Sequence, residues 1–292
     1  MTRLNSHSRM SATFLGAFIL LALAEASARA ALGQTVYIVG DNGQFGSIQL
    51  GTLVYTEITP NLGNSYRGLL YRPEDDKLYS VTRFVAGEPL RTISTTGTVT
   101  NVGNTGTDTA GLARRPSDGA IFYFDRASLR LGTIDPNTGT YTNIGSSILT
   151  NSIGDRIEFV GNNLFFIGQN AVSEPFNNGL YSLNQTTGAG TFIGSGGSVE
   201  SRNAYTAMDA TFMESNILYG IVSFGVGAHT LYSINTTTAV LTSLGDITGS
   251  NQPTFIRGAA TIGATSASAP EPGTLSLLAL GLLVPLVRRV RR

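Results

Sequence analysis

Five segments with alternating polar and apolar residues recur along the chain, at 45–58, 90–103, 131–145, 180–194 and 231–245. Each has two short alternating stretches joined by a polar turn, which predicts a β-hairpin. The equivalent apolar positions are Ile48, Ile93, Ile134, Leu183 and Ile234, and they are 45, 41, 49 and 51 residues apart. A period of about 40–50 residues with several strands per unit is typical of propeller blades.

A further strand pair precedes four of these hairpins. Residues 68–83 and 111–126 share Gly-Leu, Arg-Pro, a polar turn and an aromatic-rich strand, and 157–169 and 208–223 are looser versions. Each unit then has four strands, which is the plan of a propeller blade.

The two ends of the repeat region complement each other. The first hairpin is preceded only by residues 36–40, whereas Arg257–Ile262 resembles an isolated inner strand. The sequence therefore predicts an all-β fold, a five-bladed β-propeller closed by the N- and C-terminal strands of the body. A β-sandwich is the alternative. The sequential repeat and the complementary ends favour the propeller.

Composition excludes several kinds of site. Cysteine is absent, so disulfides, thiolate metal sites and a cysteine nucleophile are excluded. The histidines are His7 and His229, and a Ser-His-Asp triad in the body would have to use His229. Residues 31–269 carry 12 basic and 17 acidic residues, a net charge of −5 without a basic stripe. We therefore expect no nucleic-acid partner, no metal site and no cofactor.

The first 30 residues have the features of a signal peptide: a basic start, an apolar stretch and small residues at a cleavage site. Ala28-Arg29-Ala30 fits the cleavage pattern, with cleavage between Ala30 and Ala31. Cleavage after Ala28 and an uncleaved anchor helix are the alternatives. The expected partner is the Sec translocon, and the expected route is export through the inner membrane.

The last 23 residues have three parts in a fixed order. Pro270, Glu271 and Pro272 come first, an apolar run from Leu275 to Val287 follows, and a basic cluster ends the chain. This cluster, Arg288, Arg289, Arg291 and Arg292, is typical of a stop-transfer signal. The apolar run has 13 residues, about 20 Å as a helix against a hydrocarbon core of about 30 Å. On length alone it is a marginal membrane anchor.

This tail resembles a PEP-CTERM sorting signal, which has the same parts in the same order. The resemblance implies recognition by an exosortase, a membrane transpeptidase-like enzyme. It also implies transient inner-membrane anchoring in a Gram-negative bacterium that makes extracellular polysaccharide, followed by delivery to the cell surface or matrix. An ordinary C-terminal anchor is the alternative. The predicted organisation is a signal peptide at 1–30, a propeller-like domain at 31–263, a linker at 264–269 and the sorting signal at 270–292, with short helices in the two terminal segments.

Charged residues near the predicted starts of the inner strands are candidates for a ligand site in the central channel. They are Arg67, Asp108, Asp155, Arg156, Glu158, Asp209 and Arg257. Arg67-Gly68 and Arg257-Gly258 occupy matching places in two units. A ring of arginines and aspartates can bind an anionic sugar or a divalent cation. The same residues can also merely solvate the channel mouth or pair with each other.

Two functions remain open. The favoured one is a non-enzymatic exported propeller that binds polysaccharide or surface proteins of the matrix. The alternative is a propeller hydrolase or lyase that acts on matrix glycans through the channel. His229 lies in the glycine-rich turn before the fifth hairpin and is expected to be a loop residue. We assign no catalytic residue.

Overall fold

The structure, a computed structural model, describes residues 34–83, 87–147, 152–170, 177–196, 198–199, 202–203, 205, 207–225 and 227–262. The predicted signal peptide, with Ala30 and Ala31, and the predicted sorting signal, with Pro270–Pro272 and the arginine cluster, lie outside these residues. In the described part the regular structure is entirely β-strand. No helix there is long and apolar enough to cross a membrane.

Five four-stranded antiparallel sheets make up the described part of the body. We call these sheets blades 1 to 5. The strands of the first two blades are β1 (Thr35–Gly40), β2 (Phe45–Gln49), β3 (Val54–Thr59), β4 (Ser65–Arg72), β5 (Lys77–Arg83), β6 (Pro89–Ile93), β7 (Val99–Asn104) and, from the end of the body, β22 (Ile256–Thr261). Blade 1 has the order β22-β1-β2-β3, and blade 2 has the order β4-β5-β6-β7.

The other three blades follow in chain order. Their strands are β8 (Thr109–Arg114), β9 (Ile121–Asp125), β10 (Arg130–Ile134), β11 (Tyr141–Ser147), β12 (Ser152–Val160), β13 (Asn163–Asn170), β14 (Asn177–Leu183), β15 (Gly190–Gly194), β18 (Met208–Glu214), β19 (Ile217–Gly225), β20 (Ala228–Ile234) and β21 (Leu241–Asp246). A two-stranded sheet, β16 (Ser198–Val199) and β17 (Arg202–Asn203), lies between blades 4 and 5. The repeat did not predict this insertion.

The repeated apolar residues have one structural role. Ile93, Ile134, Leu183 and Ile234 each end the third strand of a blade, and Ile48 lies one residue before the end of the third strand of blade 1. All five are buried. The hairpins predicted from the alternating pattern are therefore confirmed.

The core lies between neighbouring blades. Phe122 and Phe124 of blade 3 meet Phe159 and Phe166 of blade 4 edge to face, with centroid distances of 5.2 and 5.0 Å. These rings are nearly inaccessible to solvent, and each contributes about 1.5–3 kcal/mol by burial. Because successive side chains of a strand point to opposite faces of the sheet, each blade can pack apolar residues against the blades on both sides of it.

The inner strands β22, β4, β8, β12 and β18 form a ring, in which each strand contacts the next and β18 contacts β22. This arrangement is a five-bladed propeller, as predicted, and the sandwich alternative is wrong. The five inner strands run in the same direction, so their N-terminal ends share one end of the central channel and their C-terminal ends share the other.

Candidate functional site

The inner strands are irregular near their N-terminal ends, because each blade has a register shift there. The shifts lie between Arg67 and Leu70, Thr109 and Gly111, Gly154 and Arg156, Met208 and Ala210, and between the partners Ile256 and Gly258. Such β-bulges bend a strand and re-aim a side chain. A bulge at the same place in all five blades directs side chains towards one end of the channel.

Charged side chains from all five blades meet at this end, which we call the channel mouth (Arg67, Asp108, Arg156, Asp209 and Arg257). Arg67 Nη1 lies 3.6 Å from Asp108 Oδ1. Asp209 Oδ1 lies 3.9 Å from Arg156 Nη2 and 3.8 Å from Arg257 Nη1. One aspartate thus joins arginines of the blades on either side of it. The structure brings these five of the seven predicted residues to one end of the ring, whereas the side chain of Asp155 lies outside the described part.

Close packing of the inner strands explains the glycines that follow Arg67 and Arg257. A Cβ on Gly258 would lie 2.5 Å from the carbonyl carbon of Gly68. Gly68 also has a φ of +60°, which other residues rarely adopt. The backbones of blades 1 and 2 therefore touch here, so that their two arginines emerge side by side.

Arg257 has an aromatic neighbour. Its guanidinium carbon lies 4.8 Å from the ring centroid of Phe255, a cation–π distance. Its Nε is buried without a hydrogen-bond partner among the described residues. The Phe255 ring therefore covers one side of the guanidinium group, and the Nε–H of Arg257 remains a donor that no described residue uses.

The second oxygen of Asp209 is the start of a buried hydrogen-bonded chain, which we call the relay (Asp209, Ser223, His229 and Pro253). Ser223 Oγ donates to Asp209 Oδ2. His229 Nδ1 lies 2.6 Å from Ser223 Oγ, and its Nε2 lies 2.8 Å from the carbonyl oxygen of Pro253. All three side chains are less than a tenth exposed.

The loop position predicted for His229 is wrong. His229 is the second residue of β20 and is 2% exposed. Gly227 lies just before the strand, so the glycine-rich turn ends before the histidine. Ser223, which sequence analysis missed, lies near the end of β19 and was a polar residue in an otherwise apolar stretch. Serine occupies the middle of the relay, so a catalytic order with histidine between serine and aspartate is not formed.

The opposite end of the inner strands contains a small cavity of about 60 Å³, lined by Leu70, Glu158, Phe212, Ala260 and other residues of all five inner strands. Glu158 belongs to this cavity and not to the channel mouth. It is paired with Phe165, whereas Leu70, Ala113, Phe212 and Ala260 are paired with Tyr79, Phe122, Tyr219 and Tyr37. Glu158 thus stands where the other four blades have an apolar residue.

The surroundings of Glu158 change the pKa of its carboxyl group. Burial raises the pKa of the Glu158 carboxyl to about 8, and the hydrogen bond from Phe159 N–H, at 3.1 Å, opposes this shift only partly. At the rim, Arg114 donates to both oxygens of Glu74 and lowers the pKa of that carboxyl. The two ends of the channel are chemically different: arginines and aspartates lie at the mouth, and a carboxyl with a raised pKa lies at the other end, in a cavity lined by both apolar and polar residues.

The described residues do not provide a strong cation site. No group of three or more histidine, aspartate or glutamate side chains that could hold a metal ion occurs among them. Asp135, in the turn between β10 and β11, has its Oδ1 accepting the Asn137 N–H at 2.8 Å, so turn formation accounts for it. At the channel mouth the arginines outnumber the aspartates whose side chains are described, which favours an anionic ligand.

Comparison with known proteins identifies the tail and the fold. Residues 268–292 match the PEP-CTERM protein-sorting motif. The tail therefore marks an exported protein that is sorted by an exosortase through membrane anchoring. No curated protein sequence matches the chain.

Solved structures resemble the body in fold. A protein of unknown function from Bacteroides thetaiotaomicron has a TM-score of 0.51 and 11% identity over 73% of this chain, which spans only 55% of that protein's length. The nidogen/laminin complex gives a TM-score of 0.51 with 10% identity, covering 80% of this chain and 98% of the matched one. TolB from Acinetobacter baumannii gives 0.50 with 9% identity, covering 79% and 67%. At such identities the likeness concerns the propeller fold alone.

Proposed function

We propose that this chain is a non-enzymatic surface or extracellular-matrix protein whose channel mouth binds acidic polysaccharide. The sorting motif supports delivery out of the cell. The observation that carries the binding proposal is the convergence of three guanidinium groups, Arg67, Arg156 and Arg257, from three different blades. A guanidinium donates paired hydrogen bonds to a carboxylate, which is the charged group of uronic acid sugars.

The contacts of the mouth are suited to binding rather than to catalysis. Asp209 has one oxygen facing two arginines and the other accepting from Ser223. Both ring nitrogens of His229 are engaged. A glycoside hydrolase requires one carboxyl that gives a proton and a second that acts as base or nucleophile. Asp209 is held by its partners and is poorly placed for either role.

Isothermal titration calorimetry with oligogalacturonate tests the proposal, with an uncharged cello-oligosaccharide as the control ligand. We expect binding of the acidic sugar that weakens with added salt, because the attraction is electrostatic. Arg257→Gln should weaken it about tenfold or more, since a hydrogen bond between charged groups is lost.

Arg115→Gln is the matched control variant. Arg115 pairs with Asp118 in the turn between β8 and β9, at the opposite end of the channel. Its loss removes the same charge without touching the mouth, so binding should be unchanged. Equal weakening by Arg115→Gln and Arg257→Gln, or equal binding of the neutral sugar, would contradict the proposal.

A hydrolase or lyase remains the alternative, and the same sugars distinguish it. If the wild-type chain cleaves oligogalacturonate or another matrix glycan and Asp209→Ala abolishes this turnover, the protein is an enzyme and the binding proposal is wrong. Intact sugar after prolonged incubation with the wild-type chain would support the binding role.

The route to this location is also part of the proposal. The Sec translocon would export the chain, a signal peptidase would cleave between Ala30 and Ala31, and the tail would hold the chain at the inner membrane until the exosortase acts. The cell surface or matrix is the proposed final site. Fractionation of cells with and without the exosortase tests this, and a chain that is found in the matrix equally in both would contradict it.

A further inference from the structure

The relay beneath the channel mouth has a defined number of protons. A carbonyl oxygen only accepts hydrogen bonds, so the contact of His229 Nε2 with Pro253 O, at 2.8 Å, requires a proton on Nε2. The contact between His229 Nδ1 and Ser223 Oγ, at 2.6 Å, needs a second proton. The contact between Ser223 Oγ and Asp209 Oδ2 needs a third.

A neutral histidine, one serine hydroxyl and an ionised aspartate hold only two protons between them. The third must be on His229, which is then an imidazolium, or on Asp209, which is then a carboxylic acid. Arg257 Nη1 and Arg156 Nη2 lie 3.8 and 3.9 Å from the other oxygen of Asp209. Two neighbouring cations favour the carboxylate. With Asp209 ionised, Ser223 donates to it, and both ring nitrogens of His229 carry protons.

We infer that His229 is a buried imidazolium that acts through Ser223 as a positioning residue for Asp209 and hence for the arginines of the channel mouth. The relay holds one aspartate oxygen, and the other oxygen remains directed at Arg156 and Arg257. The added positive charge below the mouth also favours an anionic ligand. This last step rests on the proposed function, whereas the protonation of His229 does not.

Other charged groups near the relay are few in the described structure. Asp209 faces the histidine through Ser223, and Arg156 and Arg257 lie beyond it. Asp246 accepts from Thr230, the residue next to His229, at 2.6 Å. Asp41 lies near the loop that carries Pro253, with its Oδ1 3.4 Å from Phe255 N. Among these groups, Asp209 is the carboxylate that hydrogen bonds link to the ring, through Ser223.

Nitrogen NMR of the histidine ring tests the inference directly. In the full-length chain in detergent, His7→Asn leaves His229 as the only histidine, so its two ring nitrogens are assigned without ambiguity. We expect both nitrogens to carry protons at neutral pH and to have similar chemical shifts. Widely separated shifts, with one nitrogen unprotonated, would overturn the inference and place the third proton on Asp209.

Ser223→Ala removes the middle of the relay, and Ser223→Thr keeps the hydroxyl. We expect Ser223→Ala to separate the two nitrogen shifts, because the hydrogen bond that holds the proton on Nδ1 is lost, and Ser223→Thr to restore them. Ser233→Ala, at a serine in β20 outside the relay, should leave them unchanged. Similar shifts in Ser223→Ala would show that the relay does not hold the proton and would overturn the positioning role.

Oligogalacturonate binding gives the second readout. Ser223→Ala should weaken binding about tenfold, as expected for a lost hydrogen bond to a charged group, and Ser223→Thr should recover most of it. Unchanged affinity in Ser223→Ala would overturn the positioning role. A doubly protonated ring in a wild-type chain that binds no acidic sugar would overturn the proposed function alone, and the assignment of the imidazolium would stand.

Discussion

Gly103 of blade 2 lies directly against the carbonyl oxygen of Thr138 in blade 3. A Cβ added to Gly103 would be 1.9 Å from this oxygen. The contact recurs around the ring. A Cβ on Gly145 would be 2.0 Å from Thr187 O, and one on Gly194 would be 3.1 Å from Thr238 O. In blades 2, 3 and 4, a glycine near the end of the outer strand thus packs against the hairpin turn of the next blade.

Gly103→Ala should destabilise the propeller. The added Cβ meets backbone atoms, which cannot move away as a flexible side chain could, so blades 2 and 3 must separate. We expect a loss of about 3 kcal/mol in the free energy of unfolding, at the upper end for overpacking. Urea unfolding of the full chain measures it.

Asn101→Ala is the control, because Asn101 is an exposed residue of the same strand, β7. A surface change of this kind should alter stability by about 0.5 kcal/mol or less. Equal stability of Gly103→Ala and Asn101→Ala would mean that the turn of blade 3 does not rest on Gly103.

Much of the fold could be predicted because alternation and turn residues are local signals. Ile93 and Ile134 are buried at the ends of third strands, as the alternating pattern of their hairpins predicted. The number of repeats gave the number of blades. The equivalence of Arg67-Gly68 and Arg257-Gly258 was also predictable from the repeat, and both dipeptides lie at bulges of inner strands.

The relay and the cavity could not be predicted, because they depend on contacts between distant strands. His229 follows a glycine-rich segment that is typical of a turn, but pairing of β20 with β19 takes it into the interior beside Ser223. The alternating pattern around Glu158 predicts a strand but does not show which end of the channel the side chain is near. Only the register with Phe165 places it in the cavity.

The raised pKa of Glu158 makes stability depend on pH. The carboxyl has an ordinary pKa near 4.5 in the unfolded chain and about 8 in the folded one. Between these values the folded state retains a proton that the unfolded state has lost, so the free energy of unfolding falls as pH rises. We expect a loss of about 1–3 kcal/mol from pH about 5 to about 8, because one pKa unit corresponds to about 1.4 kcal/mol and relaxation of the protein around the ionised carboxyl reduces the effect.

Glu158→Gln separates this effect from other titrating groups. Glutamine has nearly the same shape and does not ionise, so the difference in unfolding free energy between wild type and variant should grow from about pH 5 to about pH 8. Glu158→Leu, which copies the apolar residue of the other blades, should be more stable than wild type at the higher pH. A constant difference between wild type and Glu158→Gln would show that the carboxyl ionises normally.

In the outer hairpins of blades 3, 4 and 5, one side-chain oxygen accepts backbone N–H groups of the turn, from Asp135, Asn184 and Asn235 respectively. Asn235 Oδ1 accepts the backbone N–H groups of Thr237 and Thr238 at 2.9 and 3.0 Å. Asn235→Ala should therefore cost about 1 kcal/mol in the free energy of unfolding. Asn235→Asp keeps the acceptor and should cost less. If both variants lose the same stability, the oxygen is not the stabilising group.

The sorting motif makes a prediction about the mature protein. Residues 268–292 match it, and the apolar run of 13 residues from Leu275 to Val287 is about 20 Å long as a helix, shorter than the bilayer core of about 30 Å. A short run suits a brief stay in the membrane better than permanent anchoring. We expect the exported protein to lack everything after about Pro272, which its intact mass measures together with the mature N-terminus.

Two variants distinguish recognition of the motif from simple membrane retention. Glu271→Ala changes the Pro-Glu-Pro triplet without altering the apolar run, so it should leave an unprocessed chain at the inner membrane. Ser266→Ala, in the linker before the matched residues 268–292, changes a residue outside the motif and should be processed like wild type. Because both variants keep the arginine cluster and the same hydrophobic length, anchoring alone would treat them identically. An exported product that still ends in Arg292 would contradict removal of the tail.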